Sequence, residues 1–165
     1  MQEENVVQMS TKCFLLREHG VAQDVLLAQK QGGEWSGFFD GYGGKVDGNE
    51  SVERALVREI LEEARVLVDI ADLKETARVS TYQGGALRFE IHIFTARRWG
   101  GIPQASHECG TPRWFSGGFL PLKMRYGDLL WLSRIIRGET FRARLYFCAN
   151  GSQLEHADFE PAAFR

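Results

Sequence analysis

Three glutamates, Glu59, Glu62 and Glu63, lie close together in one stretch of the chain. If this stretch is helical, Glu59 and Glu63 share a side with the apolar Val52 and Leu56, and Glu62 lies at the edge of that side. Crowded carboxylates repel each other, and their burial without partners is costly. A hard cation such as Mg²⁺ removes both costs because it prefers oxygen ligands. The pattern predicts a metal site; the alternative is a merely solvated glutamate-rich face.

Glycines precede this stretch at Gly41, Gly43 and Gly44. Glycine permits a close approach of the backbone, so a main-chain carbonyl from this segment could reach the same metal. An ordinary flexible loop is the alternative, because glycine-rich loops are weak signals when they occur alone. The glycines gain weight here because they stand directly beside the carboxylate helix.

The elements that must position these groups can be read from hydrophobic patterns and from turn residues. We predict a helix over residues 51–65, a loop over residues 32–44 and a second helix over residues 127–137. Strands are predicted over residues 11–16, 24–29, 77–82, 87–96, 111–115 and 141–148. Strands and helices are therefore mixed, which indicates an α/β sandwich with a mixed sheet rather than regular βαβ repeats.

Composition narrows the class of protein. The net charge of −2 lacks the basic excess of a general nucleic-acid-binding surface. Three cysteines, Cys13, Cys109 and Cys148, have neither zinc-finger nor redox spacing, which indicates reduced thiols. The polar start does not resemble a targeting signal, and no apolar run is long enough to cross a membrane. We expect one cytoplasmic domain over residues 1–165, either monomeric or homodimeric, with no membrane partner.

The glycine–glutamate stretch resembles the Nudix box. That motif is a glycine, five residues, a glutamate, seven residues, Arg-Glu, an aliphatic, any residue, Glu-Glu, any residue, a glycine and an aliphatic. The matching positions are Gly44, Glu50, Arg58, Glu59, Ile60, Glu62, Glu63 and Val66. Arg65 departs from the pattern because the family has glycine there, in a left-handed turn that ends the helix. We therefore expect a locally altered helix end.

The resemblance covers roughly Thr11 to Phe147 and is greatest to the MutT-like, 8-oxo-dGTP diphosphatase branch. It implies an α/β/α sandwich in which the box forms a loop, a helix and a loop. It also implies that Glu59, Glu62 and Glu63 bind Mg²⁺, or Mn²⁺ as a substitute, together with the carbonyl of Gly43. The implied reaction cleaves a nucleoside triphosphate, such as 8-oxo-dGTP, into a monophosphate and pyrophosphate.

The same resemblance suggests supporting roles for four further residues. Arg58 is expected to project away from the metal and to pair with Glu50, either to hold the loop to the helix or as a plain surface ion pair. Lys45 is a candidate phosphate ligand, with simple solvation as the alternative. Glu108 lies near the position of an additional family glutamate and is a candidate metal ligand or general base; otherwise it is an exposed loop acid.

The base-binding side is implied by Asp40 and Asp128. Asp128 matches a family aspartate that hydrogen-bonds a purine edge, whereas Asp40 stands where that branch commonly has asparagine. An ionised acid cannot donate a hydrogen bond, so the base preference is expected to differ. Gly127 replaces a second aspartate found in some animal members. Trp131 is expected to pack in the core rather than to stack on a base.

Two alternatives remain open. Tyr82 follows Val66 by 16 residues, a spacing associated with dinucleoside polyphosphate hydrolases of this family, although aromatic residues are common in strands. ADP-ribose hydrolysis has less support because no proline lies near that distance. The second alternative is a catalytically silent binding module with the same fold, of which Arg65 would be a sign.

Overall fold

The computed structural model describes residues 6–165 and contains nine strands and two α-helices in that part of the chain. Residues 1–5 lie outside the described residues. They form the polar start that we predicted not to be a targeting signal. The strands are β1 (Gln8–His19), β2 (Ala22–Gln29), β3 (Phe39–Asp40), β4 (Tyr42–Lys45), β5 (Lys74–Gln83), β6 (Ala86–Ala96), β7 (Arg113–Ser116), β8 (Phe141–Phe147) and β9 (Leu154–Pro161). The helices are α1 (Val52–Ala64) and α2 (Tyr126–Ile136), and a short 3₁₀ turn spans Ile70–Asp72.

The sheet is mixed, as the sequence predicted. Its main path runs β3-β2-β1-β6-β5-β8-β9, while β4 pairs with β1 and β7 pairs with β2. The pairs β1–β6 and β5–β8 are parallel, and the others are antiparallel. One long edge of β1 is shared: its first half pairs with β4 and its second half with β2. The glycine-rich β4 is therefore held against the middle of the sheet.

Side chains of β1 alternate between two buried faces, because successive residues of a strand point in opposite directions. Cys13 and Leu15 pack in the cluster that contains Leu56 and Ile60 of α1. Phe14 and Leu16 pack in the cluster that contains Trp131, Leu132 and Ile135 of α2. The two helices thus cover opposite faces of the sheet, which is the predicted sandwich. Trp131 is core packing, edge-on to Phe14 with ring centroids 5.5 Å apart.

Helix α1 has a capped start and a left-handed end. The Ser51 side chain accepts a hydrogen bond from the Arg54 N–H, which satisfies a donor of the first turn. At the other end, Arg65 adopts φ 62° and ψ 27°, and its N–H donates to the Leu61 carbonyl. The expected alteration of the helix end is absent, because arginine takes the left-handed conformation that glycine takes more readily.

Three strands were missed from the sequence. The segment predicted as a loop, residues 32–44, contains β3 and most of β4. The sequence of β4 is rich in glycine and therefore does not resemble a strand. Glycine is required at position 43, because a Cβ there would lie 2.1 Å from the Thr11 carbonyl oxygen. In β9, apolar and charged residues alternate only from Ala157 to Pro161, and this run is too short to mark the whole strand.

The cysteines carry no disulfide: Cys13 and Cys109 are buried free thiols, and Cys148 is half-buried and free. Across residues 6–165, neither helix has both the length and the apolar character that crossing a membrane requires.

Candidate active site

Three carboxylates converge at one end of α1. The side chains of Glu59 and Glu63 project from the last two turns of the helix, and Glu108 reaches them from the loop before β7. One carboxylate oxygen of each lies within 4.8 Å of the others. Glu59 and Glu63 share the side of the buried Leu56, as the helical spacing predicted. The cluster thus combines neighbouring turns of one helix with a loop far away in sequence.

The loop that carries Glu108 is tied to the end of β2. The N–H of Gln31 donates to the Glu108 carbonyl at 2.8 Å, and the N–H of Gly110 donates to the Gln29 carbonyl at 2.8 Å. Within the loop, the Ser106 hydroxyl accepts from the N–H groups of Glu108 and Cys109. These backbone bonds fix where the Glu108 side chain begins, although its side chain remains 46% exposed.

Glu63 is the most constrained of the three. Its side chain is 3% exposed, and its two oxygens accept from the Lys30 ammonium at 2.7 Å and from the Gly43 N–H at 2.9 Å. Burial raises the pKa of the Glu63 carboxyl, and these contacts only partly offset that effect. The Gly43 N–H therefore fixes β4 against the helix through a carboxylate. The Gly43 carbonyl stays a predicted metal ligand.

Glu59 lies directly against β4. A Cβ added to Gly44 would come within 2.6 Å of the Glu59 carboxyl group, so a larger residue there would displace this side chain. Burial raises the pKa of Glu59; the hydrogen bond and charge of Arg58 lower it, and the charges of Glu62 and Glu108 raise it further. The carboxyl is therefore crowded by acids that Arg58 does not neutralise.

Arg58 joins the loop before α1 to the helix. Its guanidinium donates to Glu50 at 2.7 Å, which is the expected pair, and this hydrogen bond lowers the pKa of Glu50. The expectation that Arg58 projects away from the metal side is wrong, because it also donates to Glu59 at 2.8 Å. It approaches Glu62 and Asp47 at 3.5 Å, so one arginine is shared among four acids.

Two predicted residues lie outside the convergent cluster. Glu62 is half-exposed and faces Arg58 one helical turn away, because its position is rotated about 60° from Glu59 toward solvent. Lys45 has an exposed side chain, and its backbone carbonyl accepts from Arg58 at 3.4 Å. A metal role for Glu62 and a phosphate role for Lys45 stay predictions.

The composition of the cluster fits a divalent cation. Six carboxylates, those of Asp47, Glu50, Glu59, Glu62, Glu63 and Glu108, are arranged around two permanent cations, Lys30 and Arg58. Mg²⁺ and Mn²⁺ prefer oxygen ligands, and here the negative charge of the carboxylates exceeds the local positive charge. Cys109 lies 3.8 Å from the Lys30 ammonium, and burial raises the pKa of its thiol to about 12, so thiolate ligation is disfavoured.

Asp40 and Asp128, the predicted base-binding acids, are brought together around Lys12 and Arg125. Lys12 lies 2.7 Å from Asp40 and 3.5 Å from Asp128, and Arg125 contacts the same two acids at 3.1 and 3.0 Å. We call these four residues the paired-charge cluster. Both acids are less than one tenth exposed, and each is paired with Lys12 and Arg125.

The charges of this cluster decide the protonation of Asp40. Burial raises its pKa, but the nearby charges of Lys12, Arg125 and Lys30 outweigh burial and hold the pKa below its usual value. Asp40 is therefore ionised at neutral pH and acts as an acceptor, as the sequence suggested. Its Oδ1 also accepts from the Gly41 N–H at 2.8 Å.

Sequence reasoning missed Lys12, Lys30 and Arg125. One signal for Lys12 was available: a lone lysine stands in the apolar run of β1, and buried lysines are rarely found without an acidic partner. Lys30 stands at the end of β2 and Arg125 just before α2, where a lysine or arginine is ordinary, so neither carries a comparable signal.

A family model described as the NUDIX domain matches residues 7–134. The chain is 31% identical over 134 residues to an oxidized purine nucleoside triphosphate hydrolase of Danio rerio, covering 80% of this chain and 84% of the relative. It is 32% identical over 127 residues to a Mus musculus protein of the same name, covering 76% of this chain and 80% of the relative.

Solved structures share the fold. A mutator MutT protein from Bacillus halodurans superposes with a TM-score of 0.75 at 22% identity, covering 95% of this chain and all of the other. A MutT Nudix hydrolase from Burkholderia pseudomallei superposes with a TM-score of 0.67 at 22% identity, covering 79% of this chain and 98% of the other. The domain match, the two relatives and the box geometry agree, and the chain belongs to the Nudix hydrolase family.

Proposed function

We propose that this protein is a Mg²⁺-dependent nucleoside triphosphate pyrophosphohydrolase that releases a nucleoside monophosphate and pyrophosphate. The observation that carries the proposal is the convergence of Glu59, Glu63 and Glu108 within 4.8 Å beside the glycine-rich strand β4. An acidic cluster repels a polyphosphate unless a cation intervenes, so a metal is needed both to hold the acids together and to admit the substrate.

Glu59, Glu63 and Glu108 would hold the metal, with Glu62 and the Gly43 carbonyl as further candidate ligands. When bound, Mg²⁺ supplies charge neutralisation of the phosphates and acidifies a bound water. Glu108 is the most exposed of the three acids and the least engaged by cations, so it is the best candidate for a general base. Mn²⁺ is expected to substitute because it accepts the same oxygen ligands.

Lys30 and Arg58 position the ligands from opposite sides. Lys30 and the Gly43 N–H fix the two oxygens of Glu63, which leaves this carboxylate little freedom to rotate. Arg58 ties Glu59 to Glu50 and so fixes the helix relative to the loop before it. Ligands held in place in advance lose less conformational entropy when a metal binds. Lys45, exposed at the end of β4, is proposed to contact phosphate.

The two relatives are named as hydrolases of oxidized purine nucleoside triphosphates. Oxidised purine nucleotides, such as 8-oxo-dGTP, are therefore the first substrates to test. Asp40 and Asp128 are proposed to line the base side of the site. The charge of Lys30 acts on both Asp40 and Glu63, so the paired-charge cluster lies within electrostatic reach of the metal ligands. A nucleotide with phosphates at the acidic cluster could therefore place its base near the paired charges. Three free cysteines fit a reducing compartment, and we propose the cytoplasm.

A dinucleoside polyphosphate is the second candidate substrate. Tyr82 of β5 stacks on Tyr146 of β8 with ring centroids 4.9 Å apart and planes 17° apart, and both rings are half-buried. Aromatic surfaces of this kind can stack on a second base. Because each tyrosine is already the other's partner, we rank this candidate below the simple triphosphate. A silent binding module ranks last because Glu59, Glu62 and Glu63 of the box are all present.

The test is a substrate panel with Mg²⁺ that scores pyrophosphate and orthophosphate separately. The panel contains dGTP, 8-oxo-dGTP, the other dNTPs, ADP-ribose and diadenosine polyphosphates. Metal-dependent pyrophosphate release from a triphosphate supports the proposal, whereas a preference for the dinucleotide overturns the choice of substrate. Absence of release from every compound would establish the silent module instead.

A further inference from the structure

The hydroxyl of Tyr42 is buried without a hydrogen-bond partner. Of the side-chain nitrogen and oxygen atoms buried within residues 6–165, only this hydroxyl and that of Thr11 make no hydrogen bond. The whole Tyr42 side chain is inaccessible to solvent. A polar group buried in this way costs free energy until it finds a partner, and such groups are rare in folded proteins. The groups that this hydroxyl faces therefore decide what it can do.

The ring of Tyr42 lies on the face of β4 that packs against α1. Alternate residues of a strand share a face, so Tyr42 shares one with Gly44, where an added Cβ would meet the Glu59 carboxyl of α1. Tyr42 also packs in the same apolar cluster as Ala64, the residue that follows Glu63 in the helix. The ring is thus directed towards the helical turn that carries Glu63.

The Tyr42 hydroxyl is a proton donor close to Glu63. Burial raises its pKa, and the nearby Cys109 and Glu63 raise the pKa further. The phenol therefore keeps its proton at neutral pH and can donate a hydrogen bond. The backbone brings the same two residues together, because the N–H of Gly43, the next residue in the chain, donates to Glu63 at 2.9 Å.

Stronger donors hold the Glu63 carboxylate in the structure. One oxygen accepts from the Lys30 ammonium at 2.7 Å, and the other accepts from the Gly43 N–H. A charged ammonium makes a stronger hydrogen bond to a carboxylate than a neutral hydroxyl does. A divalent cation in the acidic cluster would repel the ammonium and weaken its contact with Glu63. The neutral hydroxyl of Tyr42 experiences no such repulsion.

We propose that Tyr42 is a positioning residue of the acidic cluster, whose hydroxyl donates to the Glu63 carboxylate when a divalent cation is bound there. Groups that donate to a metal-ligating carboxylate orient it and raise the affinity of the site for the metal. The inference rests on the proposed function, since it takes Glu63 to be a metal ligand.

Tyr42→Phe tests the inference because it removes only the hydroxyl. We expect this variant to bind Mn²⁺ roughly 10-fold more weakly than the wild type, measured by electron paramagnetic resonance of the free ion. In protein free of divalent cations, it should unfold at an unchanged or higher urea concentration, because the hydroxyl has no hydrogen bond to lose. Tyr126→Phe, at an exposed position of α2, is the matched control and should change neither quantity.

Absorption spectroscopy adds a readout that a purely structural tyrosine would not produce. The near-ultraviolet absorption of tyrosine shifts when its hydroxyl gains a hydrogen bond. Addition of Mg²⁺ should therefore change the tyrosine absorption of the wild type more than that of Tyr42→Phe. Identical changes in the two proteins overturn the inference.

Two further results contradict the role of Tyr42. Equal Mn²⁺ affinity in the wild type and Tyr42→Phe would show that the hydroxyl does not support the metal site. A loss of stability in Tyr42→Phe without divalent cations would show that the hydroxyl already has a partner, such as a buried water. The proposed function is tested separately: Mn²⁺ binding that is insensitive to Tyr42→Phe leaves that function standing, whereas no Mn²⁺ binding to the wild type removes both.

Discussion

The acidic cluster and the paired-charge cluster both bury carboxylates beside Lys30, but they balance charge in opposite ways. Around Glu59, Glu63 and Glu108, acids outnumber permanent cations six to two. In the second cluster, two acids face two cations, Lys12 and Arg125. Burial dominates in the first cluster and raises the pKa of Glu59 and Glu63, whereas opposite charge dominates in the second and lowers the pKa of Asp40.

The difference separates two ways of handling a buried acid. An excess of carboxylates is relieved by a cation from outside, and we propose that the acidic cluster binds one. A balanced set supplies its own counter-ions and needs no added cation. The predictions that follow act on one cluster at a time, beginning with the largest expected effect.

Glu63→Gln is expected to lower Mg²⁺-dependent turnover by roughly 100-fold or more, since it removes a proposed metal ligand that is buried and held by Lys30. Steady-state rates of pyrophosphate release are the measurement. Glu53→Gln, on the same helix but outside the cluster, should retain nearly all activity. Equal rates in the wild type and in Glu63→Gln would remove the role of the cluster in catalysis.

Lys12→Met is expected to destabilise the protein by about 3 kcal/mol, because it leaves Asp40 and Asp128 buried with one cation instead of two. Urea unfolding at neutral pH measures the change. Lys74→Met, at an exposed position of β5, is the matched control and should alter the free energy of unfolding by less than about 0.5 kcal/mol. A loss no larger than that of the control would mean that the paired charges are not coupled.

The sequence alone predicts part of the acidic cluster but not the pairing of charges in the second cluster. The helix face of Glu59 and Glu63 follows from a period of 3.6 residues, and the mixed sandwich follows from the order of strands and helices. Lys12 meets Asp40 across 28 residues and Asp128 across 116 residues, and such contacts depend on strand register. The sequence also gave no reason to place Arg125 between the two acids. Local periodicity predicted the pairing of Glu59 with Glu63, the family resemblance suggested Glu108, and only the tertiary structure reveals the paired charges.

Arg65→Gly is expected to stabilise the protein by about 1 kcal/mol, because Arg65 occupies a left-handed conformation at φ 62° that glycine adopts without the Cβ penalty. Chemical denaturation detects this change. Arg65→Ala retains the Cβ and should give no gain. If glycine and alanine change the stability equally, the helix end is not strained at this position.

In protein free of divalent cations, the contributions of the two clusters to the free energy of unfolding should change with pH in opposite directions. Glu59 has a raised pKa in the folded state, so its contribution favours folding at low pH and is lost as the pH rises through the folded pKa. Asp40 has a lowered pKa, so its contribution is present above the unfolded pKa and is lost as the pH falls through the folded pKa.

Unfolding measured between about pH 3 and pH 7 tests this contrast. Relative to the wild type, Glu59→Gln should become more stable as the pH rises, by less than about 1 kcal/mol, whereas Asp40→Asn should become less stable. Parallel pH profiles for the two variants would show that the clusters do not differ in charge balance.

The central claim is that the converging carboxylates bind a divalent cation. Titration of the full chain with Mn²⁺, followed by electron paramagnetic resonance of the free ion, measures this binding without any substrate. We expect Glu63→Gln and Glu108→Gln to weaken Mn²⁺ binding by roughly 10-fold or more, and Glu53→Gln to leave it unchanged. Equal Mn²⁺ affinity in all four proteins, or no binding to the wild type, would contradict the account.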